Sequence, residues 1–208
     1  MNIIMLLVLS IISTVTQAAE GKVCQYSATV WNVAARKSVR TIKIFKPYDA
    51  VTDKERGPFG CTPCLVDQVD IELPFVKTFK VCRFIAEKVK SALLNAHYAG
   101  FPISEVEGYR PSYSKGKPDQ LQNRTELSNH AFGAAIDINA NHNGLYDKCI
   151  QWSNDCRLIK GGKRDLSKQE TISENSPLYY EMKRIGLKWG GEIQGLQKDF
   201  MHFSETGY

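Results

Sequence analysis

The chain has 208 residues, of which 43% are apolar, 10% aromatic and 24% charged. That composition excludes a disordered chain, a coiled coil and a collagen-like repeat, since the aromatic content can bury a sizeable core and the 15 glycines follow no period. The net charge of +5, from 27 basic against 22 acidic residues, suits an anionic surface or polymer and is too small and scattered to argue for nucleic acid.

The first nineteen residues, Met1–Ala19, carry no charge and hold an apolar stretch, Ile3–Leu9 with Ile11–Ile12. It is shorter than the ~20 residues that span a bilayer. Thr16 and Ala18 are the small residues a signal peptidase favours, so residues 1–19 read as a signal peptide cut after Ala18 or Ala19. No second long apolar run follows, which predicts a mature chain without a membrane span, exported to the periplasm or the extracellular space. The six cysteines, Cys24, Cys61, Cys64, Cys82, Cys149 and Cys156, all follow that segment. Their even number points to three disulfides in an oxidising compartment. Cys149 and Cys156 are near enough to pair with each other, while the other four allow three pairings that spacing does not separate.

Cys24–Val33 and Val39–Phe45 are rich in β-branched and aromatic residues and predict a hairpin. Lys46–Pro63 carries three prolines and two glycines and reads as loop. From Val76 to Ala99 an apolar stripe, Phe79, Cys82, Ala86, Val89, Leu93 and Ala96, recurs at spacings of three and four, predicting a helix that stops at Gly100. Ile103–Tyr109 reads as a strand, Arg110–Glu126 as loop, Phe132–Ile138 as a short buried strand and Asn139–Lys168 as irregular. Ser176-Pro177 opens a second helix that Gly186 ends, and Phe200–Phe203 reads as a terminal strand. The expectation is one α+β domain, with residues 20–75 as a β and loop segment ahead of a core at 76–208.

The four histidines can be weighed one by one. His97, late in the long helix, suits a helix C-terminus. His142 sits in a run of asparagines before Gly144 that imitates a calcium loop but has Asn139 at its first position and Ile150 at its last, so a turn is the better account. His130 and Asp137 stand seven residues apart, and His202 follows late in the chain. Two imidazoles and a carboxylate would give zinc three protein ligands and an open position. Residues seven apart in a straight strand face opposite ways, so the backbone must turn between His130 and Asp137, which Gly133 permits. The same spacing also suits a buried, hydrogen-bonded His–Asp pair.

Ser128-x-His130-x-x-Gly133-x-Ala135-x-Asp137 resembles the signature of a zinc peptidase family that contains the VanY-type and VanX-type D-alanyl-D-alanine peptidases and the L-alanyl-D-glutamate endopeptidases. Gly108-Tyr109-Arg110, Trp189-Gly190-Gly191 and Asp199-x-x-His202-Phe203 resemble three further motifs of that family, in the same order, over about residues 103–205. The resemblance implies an α+β fold with a central antiparallel sheet flanked by helices, as in lysostaphin and hedgehog domains, here extended by the N-terminal hairpin and stapled by disulfides. It implies one zinc ion on His130, Asp137 and His202, with Asp199 as general base and Arg110 stabilising the oxyanion. Ser128, Tyr109 and Trp189 would lie beside the substrate. The implied activity is hydrolysis of peptidoglycan stem peptides by a monomer, with Asp199, the Trp-Gly-Gly run and the His-Phe ending slightly closer to the endopeptidase branch. Two alternatives remain open: a zinc-holding binding module of the same fold without catalysis, and a disulfide-stapled protein without metal. Asn123-Arg124-Thr125 also forms a glycosylation sequon.

Overall fold

A computed structural model describes residues 22–208, so the signal segment and its cleavage site lie outside the described residues. The chain opens with a long antiparallel hairpin, β1 (Val23–Asn32) and β2 (Lys37–Pro47). Along β1, Cys24, Tyr26, Ala28 and Val30 are buried and alternate with exposed or half-buried residues, the period of a strand with one face on a core. The turn has no glycine; Asn32 closes its base by accepting the Ala35 N–H at 2.8 Å, and Arg36 takes the left-handed conformation.

A second hairpin follows, β3 (Gln68–Leu73) and β4 (Val76–Cys82). This corrects the helix expected from Val76. Val-Lys-Thr-Phe-Lys-Val-Cys places Phe79 and Val81 inward and Thr78 and Lys80 outward, and pairing with β3 wins over a helical stripe that Phe79 and Cys82 extend by coincidence of spacing. The helix, α1, spans Ala86–Tyr98 and buries Ala86, Val89, Ala92, Leu93 and Ala96. It ends where Gly100 adopts a φ of +90°.

Beyond α1 the strands are short. β5 is Val106–Glu107, less than the strand expected at 103–109. The expected loop at 110–126 contains β6 (Ser112–Lys115) and runs into β7 (Glu126–Leu127). Where Phe132–Ile138 was expected to be one strand, a 3-10 turn at Asn129–Phe132 precedes β8 (Ala135–Ile138). The stretch expected to be irregular holds β9 (Leu145–Asp147) and β10 (Arg157–Lys160). Helix α2 (Pro177–Arg184) starts as expected, its Ser176 cap accepting the Tyr179 N–H, and Gly186 follows at a φ of +90°. The chain closes with β11 (Lys188–Trp189), β12 (Lys198–Asp199) and β13 (His202–Ser204), so the terminal strand is displaced from the expected Phe200–Phe203.

These strands form small sheets rather than one large one. The order β11-β13-β8-β5 is antiparallel throughout, and β10-β9-β12 is a three-stranded neighbour. The N-terminal hairpin joins the rest through β1, which runs parallel to β6 with Thr29 opposite Ser112. Helix α1 packs on α2, and Asn95 donates to Glu181 across them at 3.1 Å. The fold is therefore mixed α+β. Cys149 bonds Cys156 as expected, and the open pairings resolve to Cys24–Cys64 and Cys61–Cys82.

Candidate metal centre

His130, Asp137 and His202 arrive from two strands and one turn. β13 pairs with β8 so that His202 lies opposite Asp137. The turn before β8 is capped by Ser128, whose Oγ accepts the Ala131 N–H, and ends on Gly133 at a φ of +63°. That left-handed residue reverses the chain and swings the His130 ring to the Asp137 face, the bend the seven-residue spacing required. A Cβ at 133 would stand 2.0 Å from Gln68 Oε1 and 2.6 Å from the Cys82 nitrogen, so the turn is also pressed against β3 and β4.

All three side chains are buried. His130 Nε2 lies 3.1 Å from Asp137 Oδ1 and 3.2 Å from His202 Nδ1, and His202 Nδ1 lies 2.9 Å from the same carboxylate oxygen. Four-coordinate zinc with bonds of ~2.0–2.1 Å separates its ligand atoms by ~3.3 Å, so this triangle needs little expansion to hold the ion. His130 Nδ1 faces the Gly108 carbonyl at 2.8 Å, where only an N–H can bond; the neutral ring then turns a lone pair on Nε2 toward the centre. Three acceptor-rich atoms this close in a dry site compete for one shared proton, whereas a cation attracts all three. His202 Nε2 is buried without a partner. Two imidazoles and one carboxylate are a donor set that suits zinc.

Electrostatics follow from burial and neighbours. Burial alone would raise the Asp137 carboxyl, but the His130 and His202 rings outweigh it and hold the group well below the usual carboxylate range. Asp199 shows the reverse. Burial pushes its carboxyl up to about 6; His202 draws it back, while Asp137 adds to the rise. Its Oδ1 is buried with no hydrogen-bond partner, an acceptor held ready beside the triad. The strand reaches this position because Gly190 lacks a side chain: a Cβ there would sit 2.2 Å from the Asp199 carbonyl oxygen. Gly190 also ties the two neighbours together, donating its N–H to the His202 carbonyl at 2.8 Å and accepting the Asp199 N–H at 3.0 Å.

Arg110 donates from Nη2 to Asp137 Oδ2 at 3.1 Å, while its Nε lies 3.0 Å from Glu107 at an angle that makes an ion pair without a hydrogen bond. Its backbone N–H is fixed to the His130 carbonyl. Tyr109 points elsewhere: its hydroxyl donates to the Pro63 carbonyl, anchoring the segment to the disulfide loop. Trp189 is buried, donates to the Phe200 carbonyl and packs on Tyr179 and Phe200. Ser128 thus caps the turn that carries His130, Trp189 packs against Phe200 next to Asp199, and Tyr109 ties its segment to the disulfide loop. An open groove of about 730 Å³, bordered by Lys80, Glu107, Gly108 and Tyr109, lies beside the segment leading into Arg110.

Two participants escaped the sequence. The Gly108 carbonyl is a backbone group, and Glu107 is one acid among many. Gly108 stands in the Gly108-Tyr109-Arg110 motif, but that letter does not say where its carbonyl points, and Glu107 only precedes the motif. The remaining histidines lie outside the triad: His97 stacks on Phe75 in the last turn of α1, and His142 lines a separate cavity. Asn139 and Asn143 spend their side chains on loop hydrogen bonds to Ser104, Pro102, Glu170 and Ile172, as a turn would. The sequon residue Asn123 is buried and bonded to Asp119.

No curated protein and no solved structure matches the chain. Residues 122–205 match the profile of a peptidase family described as D-alanyl-D-alanine carboxypeptidase. The matched stretch holds His130, Asp137, Gly190, Asp199 and His202, and along it the chain is similar to the D-alanyl-D-alanine carboxypeptidase family.

Proposed function

We propose that the protein is an exported zinc peptidase that hydrolyses the peptide stems of peptidoglycan, releasing the terminal D-alanine. The observation that carries this reading is the buried triangle of His130, Asp137 and His202 inside the stretch matched to that family. The three disulfides support work outside the reducing cytoplasm, in keeping with a signal peptide at residues 1–19. The reading takes the chain after that segment as one domain acting as a monomer.

His130, Asp137 and His202 would hold the ion, and bound zinc supplies Lewis acidity, lowering the pKa of a water toward ~7 and polarising a carbonyl. The chain's own groups do the rest. Asp199, with its free buried oxygen, takes the proton from the attacking water and returns it to the leaving amine. A carboxyl raised by burial suits that exchange, because it binds and gives up a proton near working pH. Arg110 fixes Asp137 with one nitrogen, and its half-exposed guanidinium has N–H groups to spare for the oxyanion that develops on the scissile carbonyl. The Gly108 carbonyl keeps the His130 ring in the tautomer that presents Nε2.

The test is incubation of the zinc-loaded protein with defined muropeptides. Loss of one terminal D-alanine supports the proposal. Release of the whole stem from L-alanine makes the protein an endopeptidase instead. Zinc at about one per chain with no cleavage of either bond would make it a binding module. Asp199→Ala should abolish cleavage and leave zinc content unchanged.

A further inference from the structure

One buried cation takes no part in this chemistry. Arg164, on the loop after β10, is only 7% exposed, and its guanidinium lies 3.9 Å from the Phe200 ring, with Trp189 at 5.4 Å and Trp152 at 5.8 Å. Aromatic rings cover the faces of a guanidinium but do not satisfy its N–H edges, which need oxygen acceptors in the plane. Nε and Nη1 are buried with no hydrogen-bond partner. Burial lowers the group's pKa to about 10, the sign of a charge drawn out of water without a counter-ion. The backbone at this point is fastened, since the Arg164 N–H donates to the Tyr146 hydroxyl at 2.7 Å. The side chain is therefore held in place with its donors unused, and leaving them so is costly unless something brings acceptors.

What surrounds it is a cavity of about 560 Å³, lined by Arg164 together with His142, Trp152, Lys163, Asp165 and Lys168. Its one carboxylate, Asp165, is already engaged by the N–H and hydroxyl of Ser167 at 3.0 and 2.7 Å. Lys163 and Lys168 are exposed on the rim and Arg164 is buried in the wall, so positive charge is in excess. No member of the metal triad lines this cavity. We propose that it is a second ligand site, one that takes an oxyanion group, carboxylate or phosphate, on the Arg164 guanidinium with Lys163 and Lys168 at the entrance. A guanidinium set among three aromatic rings with N–H donors left unpaired matches the paired oxygens of either group. The site stands whether or not the metal centre cleaves peptides, although Phe200, the ring beneath Arg164, directly follows Asp199 in the chain.

The experiment is titration of the ¹⁵N-labelled, zinc-loaded protein with sodium acetate and, separately, methyl phosphate at constant ionic strength. Sodium chloride serves as the control. The readouts are the Arg164 Nε–H and Trp152 indole N–H resonances, local to this cavity. A saturable shift of both by at least one oxyanion and not by chloride is expected. Arg164→Lys keeps the charge but loses the fork and should weaken binding about tenfold or more. Lys163→Gln with Lys168→Gln changes only the rim and should weaken it by less, which keeps the test open if the buried substitution unfolds the protein. Tighter binding of acetate assigns the pocket to a peptide end, and tighter binding of methyl phosphate to a phosphorylated ligand. The proposal is overturned if neither anion gives a saturable shift, if chloride does as well, or if the rim substitutions leave affinity unchanged.

Discussion

Gly133→Ala should loosen the turn that aims His130, and its cost can be worked out from the packing. A non-glycine residue at a φ of +63° pays ~1–2 kcal/mol for the left-handed conformation alone. The new methyl would also meet Gln68 Oε1 at 2.0 Å and the Cys82 nitrogen at 2.6 Å. The Gln68 side chain can swing aside, but its Nε2 then gives up bonds to the Thr62 and Phe132 carbonyls, each worth ~1 kcal/mol. Cys82 is main chain, tethered to Cys61, so relief on that side stretches its 2.9 Å bond to the Gly133 carbonyl. The total is about 3–5 kcal/mol. At ~2–4 °C per kcal/mol for a chain of this size, the zinc-free variant should melt about 6–20 °C below the parent. Circular dichroism with the metal removed reads this without interference from binding. Because the turn carries a ligand, competition with a chromophoric chelator should show zinc affinity lowered about 10- to 100-fold. A variant that melts within about 2 °C of the parent and keeps its zinc affinity would refute the idea that fit at this glycine places His130.

Glu55 should make stability depend on acid. Burial disfavours its charge, but Lys46, the Thr52 N–H, Tyr26 and the Thr52 hydroxyl outweigh that and hold the carboxyl at about 2, against an ordinary 4.5. A depressed folded pKa means stability that is complete above about 4.5 and disappears as pH falls through about 2. The melting-point gap between parent and Glu55→Gln should therefore be widest near neutrality and close over that window; a gap independent of pH would count against the pairing. Replacing both cysteines of the Cys24–Cys64 bridge, which spans 40 positions, should cost about 4 kcal/mol. Removing Cys149–Cys156, which spans 7, should cost about 2.5 kcal/mol, and denaturant titration under oxidising conditions orders the two. Gly190→Ala should push the Asp199 strand away and lower kcat on a D-alanyl-D-alanine substrate by up to about a hundredfold at unchanged zinc content; full activity would mean that Asp199 does not need its present place.

The cluster of His130, Asp137 and His202 was legible in the sequence because its chemistry is written in side chains and its geometry in one glycine. Histidine is an uncommon letter in a chain with four of them, which drew attention to His130 and His202, and Gly133 marked the bend between His130 and Asp137. Helix α2 was equally legible, having a cap, a proline and a stop. What misled was β4, whose Phe79 and Cys82 happen to continue the three-and-four stripe of α1. The tie to β3 that decides its conformation lies in residues the stripe does not include. The two-residue strands β5, β11 and β12 are too short to show a period at all. The carbonyl that orients His130 has no letter, since any residue at 108 supplies one. Glycine is nevertheless required there, because a Cβ would stand 2.2 Å from the Lys80 carbonyl. Nothing in its sequence neighbours marks Arg164, because the rings that close on it belong to Trp152, Trp189 and Phe200.

The order of the cysteines along the chain has a consequence for how the protein must be made. Cys24, Cys61, Cys64 and Cys82 emerge in that sequence, yet the bridges cross: first to third and second to fourth. A chain oxidised as it appears would join Cys24 to Cys61 and Cys64 to Cys82, two wrong bonds that must be undone by thiol exchange. The second native bond, Cys61–Cys82, anchors the strand end against which the His130 turn rests. Recombinant yield of protein able to take up metal should therefore track the supply of a disulfide isomerase more than the strength of the oxidant.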